Sequence, residues 1–190
     1  TAASDPELVA ATAEEIIRLG ADRKSWLVFS SGVNHANMLA AEFDFHNIPV
    51  GVVTGSDSSS VREKAIADFK SGKLRCLINV NVLTTGFDHP EVDLVALVRA
   101  TASTGLYVQM VGRGTRIAEG KEDCLILDYG QNVERHGFID QVKPKDKMSS
   151  GDGEAPVKQC EKCQTMVHAA CQICPECGFE FPAPTLNHSS

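Results

Sequence analysis

Short apolar runs alternate with helix-forming segments through the first two thirds of the chain, and this alternation constrains the fold more than any other feature. The apolar runs lie at 26–29, 50–53, 76–80, 94–98 and 124–127, and the helical segments lie at 5–20, 34–46, 61–70 and 104–116. Such alternation predicts an α/β fold with a parallel sheet, buried strands and helices on both faces. Ligands of such sheets bind beyond the carboxyl ends of the strands, so the loops after Phe29, Val53 and Val80 are the expected place for a site.

Two of the predicted helices carry capping residues. Asp5 precedes Pro6 at the start of the first helix, and Gly20 ends it. Ser60 and Glu63 have the spacing of a capping box at the start of the third helix.

The composition predicts a globular protein with one medium domain and a small appendage, because 43% of the 190 residues are hydrophobic and 23% are charged. A net charge of -7 argues against general attraction to a phosphate backbone, so any nucleic-acid site must come from local motifs. No apolar run is long enough for a membrane span and no signal-peptide pattern is present, which predicts a cytoplasmic protein without a membrane partner. Thr1 in place of Met indicates a fragment of a longer protein.

Three polar residues and a glycine in the last helical segment have the spacing of one helix face. Gln109, Gly112, Arg113 and Arg116 stand at i, i+3, i+4 and i+7, where an α/β domain usually has its buried apolar stripe. Two guanidiniums beside a glycine suit the binding of a polyanion such as a triphosphate. The alternative for an isolated arginine pair is a solvated surface.

A second polar segment follows the third apolar run. Gly86 allows close backbone approach, and Asp88 can accept hydrogen bonds from a ribose. Taken alone, the segment 84–90 is also typical of an ordinary turn.

Taken in order, these segments resemble the motifs of the second RecA-like domain of superfamily 2 helicases. Residues 26–31 resemble motif IV, 81–90 resemble motif V, and 109–116 resemble the Q-x-x-G-R-x-x-R pattern of motif VI. Thr54 and Gly55, followed by a helix, fall at the expected interval between the first two. The resemblance covers residues 20–142 and implies a RecA-like fold.

The resemblance also implies roles for individual residues. Arg113 and Arg116 would reach the γ-phosphate of ATP, with Arg116 as the arginine finger. Gly86, Asp88, Gln109 and Gly112 would help to bind the nucleotide. Nucleic-acid contacts would come from Ser30, Ser31, Thr54, Gly55 and Thr84.

The phosphate loop and acidic tetrad of such ATPases do not occur in this sequence. ATP and Mg²⁺ would therefore be shared with an N-terminal RecA-like domain, and the fragment alone is predicted to be inactive.

Five of the seven cysteines lie between 160 and 177. Cys160, Cys163, Cys174 and Cys177 form two C-x-x-C pairs, a spacing typical of a tetrahedral zinc site. A redox or idle cysteine pair is the alternative, and Cys171 and His168 are spare candidate ligands. The predicted organisation is a domain at 1–142, a linker at 143–156, a zinc module at 157–182 and a flexible tail at 183–190.

A helicase domain followed by such a zinc ribbon, with Asp128-Tyr129-Gly130 and Arg135-His136-Gly137 between them, resembles the bacterial RadD (YejH) family of DNA-repair helicases. That resemblance implies single-stranded or branched DNA, and a repair or single-stranded-DNA-binding protein, as partners. His136 is interpreted as structural, with a catalytic role as the alternative. Two other functions stay open: a translocase without strand separation, and a zinc module that only binds nucleic acid or protein.

Overall fold

The computed structural model describes residues 5–82, 87–140, 142, 157–162, 166–168, 171–174 and 178–181. The helices are α1 (Pro6–Leu19), α2 (Val33–Phe45), α3 (Ser59–Lys70), α4 (Thr104–Val111) and α5 (Asn132–His136). The strands are β1 (Trp26–Ser30), β2 (Val50–Val53), β3 (Cys76–Asn79), β4 (Leu94–Val98), β5 (Leu125–Asp128), β6 (Val157–Gln159) and β7 (Met166–His168).

The first five strands form one parallel sheet in the order β2-β3-β1-β4-β5. The predicted α/β fold with a parallel sheet is thereby confirmed. In the register of the sheet, Phe29 lies beside Asn79 and Ser30 lies beside Val98. The carboxyl ends of the three central strands therefore meet at one edge.

Helices cover both faces of the sheet, as predicted. Trp26 and Val28 point into a core cluster with residues of α1 and α2, while Leu27 and Phe29 point into a second cluster with residues of α3 and α4. The central strands β1, β3 and β4 are buried along their whole length. The prediction that every strand is buried on both faces is wrong for β2 and β5, which are mostly half-buried because they form the edges of the sheet.

The helix caps agree with the sequence at α1 and differ at α3. Asp5 caps α1 by accepting a hydrogen bond from the Glu7 backbone N–H at 3.0 Å. At α3 the cap is Ser58, whose hydroxyl accepts from the Val61 N–H at 3.4 Å, so the predicted capping box at Ser60 is wrong. The helix begins one residue before Ser60, which places that residue inside the first turn.

The C-terminal residues that the structure describes include an antiparallel hairpin of β6 and β7. Cys160, Val167 and Cys174 are buried beside it, and partly buried Cys171, Phe179 and Phe181 pack against them. The predicted linker at 143–156 and tail at 183–190 lie outside the described residues. Among the described helices, none is long and apolar enough to cross a membrane.

Candidate functional site

The first group of predicted site residues follows β1 and β2 at the carboxyl edge of the sheet. Ser30 is fully buried and its hydroxyl donates to the Gly32 carbonyl at 3.3 Å, so Ser30 shapes the turn before α2. Ser31 is partly exposed, and its hydroxyl lies 3.0 Å from the His35 Nδ1 atom. The accessible hydroxyl of this turn therefore belongs to Ser31.

The turn after β2 is held by a carboxylate. The Thr54 N–H donates to the Asp57 carboxylate at 2.6 Å, and the Thr54 hydroxyl lies 2.9 Å from the Ser56 hydroxyl. Thr54 is buried, whereas Gly55 is exposed. The exposed backbone of Gly55 is thus the accessible part of this loop. The predicted contacts Thr84 and Gly86 lie outside the described residues.

The arginine segment does not form the helix face that the sequence predicts. Helix α4 ends at Val111, and Gly112 is its C-cap, with its N–H donating to the Val108 carbonyl at 2.8 Å. Gly114 then packs so closely that a Cβ atom there would lie 2.4 Å from the Cys124 sulfur and 2.9 Å from Val95. This tertiary contact favours a turn, so Arg113 and Arg116 follow α4 and do not extend it.

Arg113 connects this turn to the segment that contains Phe87 and Asp88. Its side chain is buried, and its Nη1 atom donates to the Phe87 carbonyl at 2.6 Å. Burial lowers the pKa of Arg113, the nearby charge of Arg116 acts in the same direction, and Asp88 opposes both. The guanidinium stays charged, because an arginine side chain ordinarily keeps its proton far above neutral pH.

Arg116 is exposed and forms an ion pair with Asp88. The side chains are 40% and 70% exposed, respectively. The structure therefore brings together the residue predicted as the arginine finger and the residue predicted to hold the nucleotide. Gln109 is exposed on α4, and its role in nucleotide binding stays a prediction.

Arg99 makes contacts near the carboxyl edge of the sheet that no sequence motif predicts. Arg99 follows β4, and its guanidinium donates to the side-chain oxygen of Asn81, whose backbone is left-handed with φ 60°. Burial lowers the pKa of Arg99. The carbonyl of Arg99 accepts from the buried Asn132 side chain at 2.9 Å, and Gly130 leaves room for it. Because lone Arg and Asn residues in loops are common, only the fold shows that they meet.

His136 contacts its surroundings through both ring nitrogens. Its Nδ1 lies 3.1 Å from the Thr104 hydroxyl and its Nε2 lies 2.7 Å from the Thr101 carbonyl, while the ring stacks on Tyr107 at 5.4 Å. These contacts tie α5 to α4, which supports the structural interpretation of His136.

Two of the four predicted zinc ligands are described. Cys160 and Cys174 are buried and form no disulfide, whereas Cys163 and Cys177 lie outside the described residues. The Cys174 carbonyl accepts from the N–H of Gly178 at 2.9 Å, and Gly178 has φ 70°. No group of three His, Cys, Asp or Glu side chains that could hold a metal occurs in the part of the chain that the structure describes.

The parallel sheet with helices on both faces, and an arginine turn beside a carboxylate after its fourth strand, define this part of the chain as an α/β domain. The chain belongs to the family described as "Helicase conserved C-terminal domain", which matches residues 9–118.

The chain is similar in sequence to curated proteins and in fold to solved structures. A Schizosaccharomyces pombe protein described as "Putative mitochondrial ATP-dependent helicase irc3" is 40% identical over 114 residues, which are 60% of this chain and 19% of that protein. The chain thus spans about a fifth of the length of this relative.

Among solved structures, Saccharomyces cerevisiae Dbp5 bound to RNA and ADP BeF3 has a TM-score of 0.58 at 21% identity, covering 73% of this chain and 37% of that one. Mycobacterium smegmatis helicase Lhr bound to ssDNA and AMP-PNP has a TM-score of 0.54 at 27% identity, covering 64% of this chain and 17% of that one. The first likeness concerns the fold alone.

Proposed function

We propose that this chain is the second motor domain of an ATP-dependent DNA helicase or translocase of superfamily 2 that acts in DNA repair and resembles the RadD (YejH) family. It supplies an arginine finger and nucleic-acid contacts to a composite ATPase site. An N-terminal RecA-like domain of the same protein binds Mg²⁺ and the phosphates of ATP. The observation that carries the proposal is the exposed Arg116–Asp88 pair beside the buried, braced Arg113.

The exposed ion pair can open so that Arg116 binds phosphate in place of Asp88. A solvent-exposed ion pair contributes about 0–1 kcal/mol, so Arg116 can leave Asp88 at low cost. A guanidinium binds phosphate oxygens through two parallel hydrogen bonds, and this interaction becomes strong in a site from which water is excluded. Arg116 then stabilises charge on the γ-phosphate, and the released carboxylate of Asp88 can accept a ribose hydroxyl.

The nucleic-acid strand runs along the carboxyl edge of the sheet in this proposal. Among the described members of the predicted set, Ser31 and Gly55 are accessible. Hydroxyls and backbone amides of this kind bind phosphate without reading bases. Thr84 remains a predicted contact of the nucleic acid, and Gly86 remains a predicted contact of the nucleotide. The similar solved structures include one bound to RNA and one bound to ssDNA, so they do not distinguish the two nucleic acids. The proposed preference for DNA therefore rests on the resemblance to the RadD family.

The cysteine module is proposed to bind one structural zinc through Cys160, Cys163, Cys174 and Cys177. The two described members are buried, and Gly178, whose N–H donates to the Cys174 carbonyl, has the left-handed backbone of a tight knuckle. Thiolates with this spacing give a closed tetrahedral site. The module would contact DNA, a repair protein or a single-stranded-DNA-binding protein.

The test of the motor assignment is ATP turnover by the full-length protein with single-stranded DNA, branched DNA or RNA. Arg116→Ala should lower turnover by about 10³ or more, the scale of arginine-finger loss, while DNA affinity stays largely unchanged. Arg18→Ala is the control, because Arg18 is also an exposed arginine in an ion pair, with Glu15 on its own helix α1. Near-normal turnover in Arg116→Ala would restore the surface-arginine interpretation.

Two further measurements separate the alternatives. Residues 1–190 alone should show no DNA-stimulated turnover, since the phosphate loop and acidic tetrad are not in this sequence. Strand displacement measured beside triplex displacement distinguishes a helicase from a translocase without strand separation. If DNA and RNA stimulate turnover equally, the DNA-repair assignment is wrong while the motor assignment stands.

A further inference from the structure

The ammonium group of Lys121 is fully used in holding backbone carbonyls. Lys121 lies in the loop between α4 and β5, and its Nζ atom donates to the carbonyls of Pro90 at 2.9 Å, Gly114 at 2.7 Å and Arg116 at 2.7 Å. An ammonium has three donors and no acceptor, so each donor has one carbonyl. The sequence offers no signal for this role, because Lys121 stands in a polar loop without periodicity.

The three carbonyls belong to two segments of the proposed nucleotide site. Gly114 and Arg116 lie in the turn after α4, where carbonyls have no helical partner of their own. Pro90 lies two residues after Asp88, which pairs with the Arg116 side chain. Lys121 therefore ties the backbone that carries the arginine finger to the segment that carries its carboxylate partner.

The local chain geometry directs Lys121 back onto the arginine turn. The Lys121 N–H donates to the Ala118 carbonyl at 3.2 Å, and Gly120 has φ 74°, a conformation that favours glycine. On the other side, the Gly114 N–H donates to the Val111 carbonyl at 2.9 Å. The chain thus folds back between Gly114 and Lys121, so that the Lys121 ammonium contacts the carbonyls of Gly114 and Arg116.

We propose that Lys121 is a positioning residue for Arg116, an inference that rests on the proposed function. Lys121 contacts neither nucleotide nor nucleic acid, and it acts by fixing the carbonyl of Arg116 relative to Pro90. The guanidinium of an arginine finger must reach the γ-phosphate in one geometry, and a displacement of about 1 Å can lower a rate by about 10². Loss of the ammonium releases both segments at once.

The experiment compares Lys121→Met and Lys121→Arg in the full-length protein, with kcat and KM for ATP measured at saturating DNA. Lys121→Met should lower kcat by about 10²-fold and change KM by less than about threefold. Lys121→Arg keeps the charge but spreads its donors over a planar fork, so its kcat should lie between those of Lys121→Met and the wild type. Lys73→Met is the matched control, because Lys73 is an exposed lysine paired with Asp68.

The double variant Lys121→Met/Arg116→Ala distinguishes positioning from a general structural role. If Lys121 acts through Arg116, the double variant should turn over no more slowly than Arg116→Ala alone. A further multiplicative loss in the double variant, or a kcat of Lys121→Met within threefold of wild type, overturns the inference. If Lys121→Met does not yield folded protein, Lys121→Arg with and without Arg116→Ala gives the same comparison.

Failure of the inference is distinguishable from failure of the proposed function. A slow Arg116→Ala beside a normal Lys121→Met leaves the arginine finger intact and removes only the role of Lys121. Equal turnover in Arg116→Ala and wild type removes the finger itself, and the inference with it.

Discussion

The sheet domain and the cysteine module are stabilised by different means. Two apolar clusters fill the faces of the sheet, and they include large, fully buried side chains such as Trp26, Phe43 and Phe69. The described part of the module buries only Val167 and two cysteines, with Cys171, Phe179 and Phe181 partly covered. Apolar burial can hold the first region together, whereas a region of this size needs a metal or another cross-link. The predictions below test that difference.

Metal removal should have the largest effect, and only on the module. Structural zinc in small cysteine modules contributes on the order of 10 kcal/mol, more than the few apolar side chains here can replace. A strong chelator should therefore unfold the module and leave the sheet domain intact. Trp26 is the chain's single tryptophan and is fully buried in the sheet domain, so its fluorescence reports on that domain alone. A change in Trp26 emission on chelation would show that the two regions are not independent.

Single cysteine substitutions sharpen the same test. Zinc content should fall in Cys→Ser variants of Cys160, Cys163, Cys174 and Cys177, and it should persist in Cys171→Ser. Cys171 packs against Cys160, Val167 and Cys174, so it is the direct competitor for a place in the proposed site. Loss of zinc in Cys171→Ser with retention in Cys174→Ser would overturn the assignment.

A core substitution should affect the sheet domain alone. Phe43 on α2 is fully buried and makes an edge contact with Trp26, with ring centroids 6.1 Å apart. Phe43→Ala should lower the free energy of unfolding by about 3–5 kcal/mol through lost burial and a cavity, measured by denaturation followed through Trp26. Zinc content should not change. Phe45→Ala is the matched control on the same helix, because Phe45 is 79% exposed, and its effect should stay within about 0.5 kcal/mol.

The strands of the sheet domain could be predicted from the sequence, whereas the local geometry of its candidate site could not. The five strands of the sheet were predictable because burial leaves a local apolar run at each of them. The end of α4 was not, since the turn at Gly112 and Gly114 depends on close packing against Cys124, a residue ten positions further on. The helical spacing of Arg113 and Arg116 was therefore misleading about geometry, even though Arg116 pairs with Asp88 and the charge of Arg116 acts on the pKa of Arg113.

The bracing of the site was beyond sequence reasoning for a related reason. Lys121 reaches the Pro90 carbonyl and Arg99 reaches the Asn81 side-chain oxygen, partners that lie 31 and 18 positions away in sequence. A single basic residue in a loop predicts no particular partner. A resemblance of motifs locates residues that touch ligands. The residues that hold those motifs in place lie between the motifs, and only the fold reveals them.

A smaller effect is expected at the start of α3, where structure and sequence disagree about the cap. Ser58→Ala should lower the stability of the sheet domain by about 1 kcal/mol, because it removes the acceptor of the Val61 N–H. Ser60→Ala should change it by no more than about 0.5 kcal/mol. Denaturation curves followed through Trp26 measure both. A larger loss in Ser60→Ala would return the cap to the residue that the sequence predicts.

The smallest expected effect is a pH dependence that belongs to the sheet domain and comes from His89. Its ring is buried, its Nε2 lies 3.2 Å from the Ser25 hydroxyl, and its Nδ1 lies 2.9 Å from the Glu91 carboxylate. Burial lowers the pKa of His89, and the charge of Lys70 adds to this, whereas Glu91 and Asp88 oppose it. An ordinary histidine titrates near pH 6.5, so below about that pH the unfolded chain takes up a proton that the folded chain resists.

The stability associated with neutral His89 should therefore be complete above about pH 6.5 and decline as the pH falls through the lowered folded-state pKa. Unfolding free energies of the wild type and His89→Gln at pH 8 and pH 5.5, followed through Trp26, give the comparison. The wild type should lose more stability than the variant over this interval, with no difference in zinc content at pH 8. If both lose the same amount, protonation of His89 does not contribute, and the acid sensitivity of the sheet domain arises from other groups. A greater loss in the variant would mean that Glu91 outweighs burial, which reverses the sign.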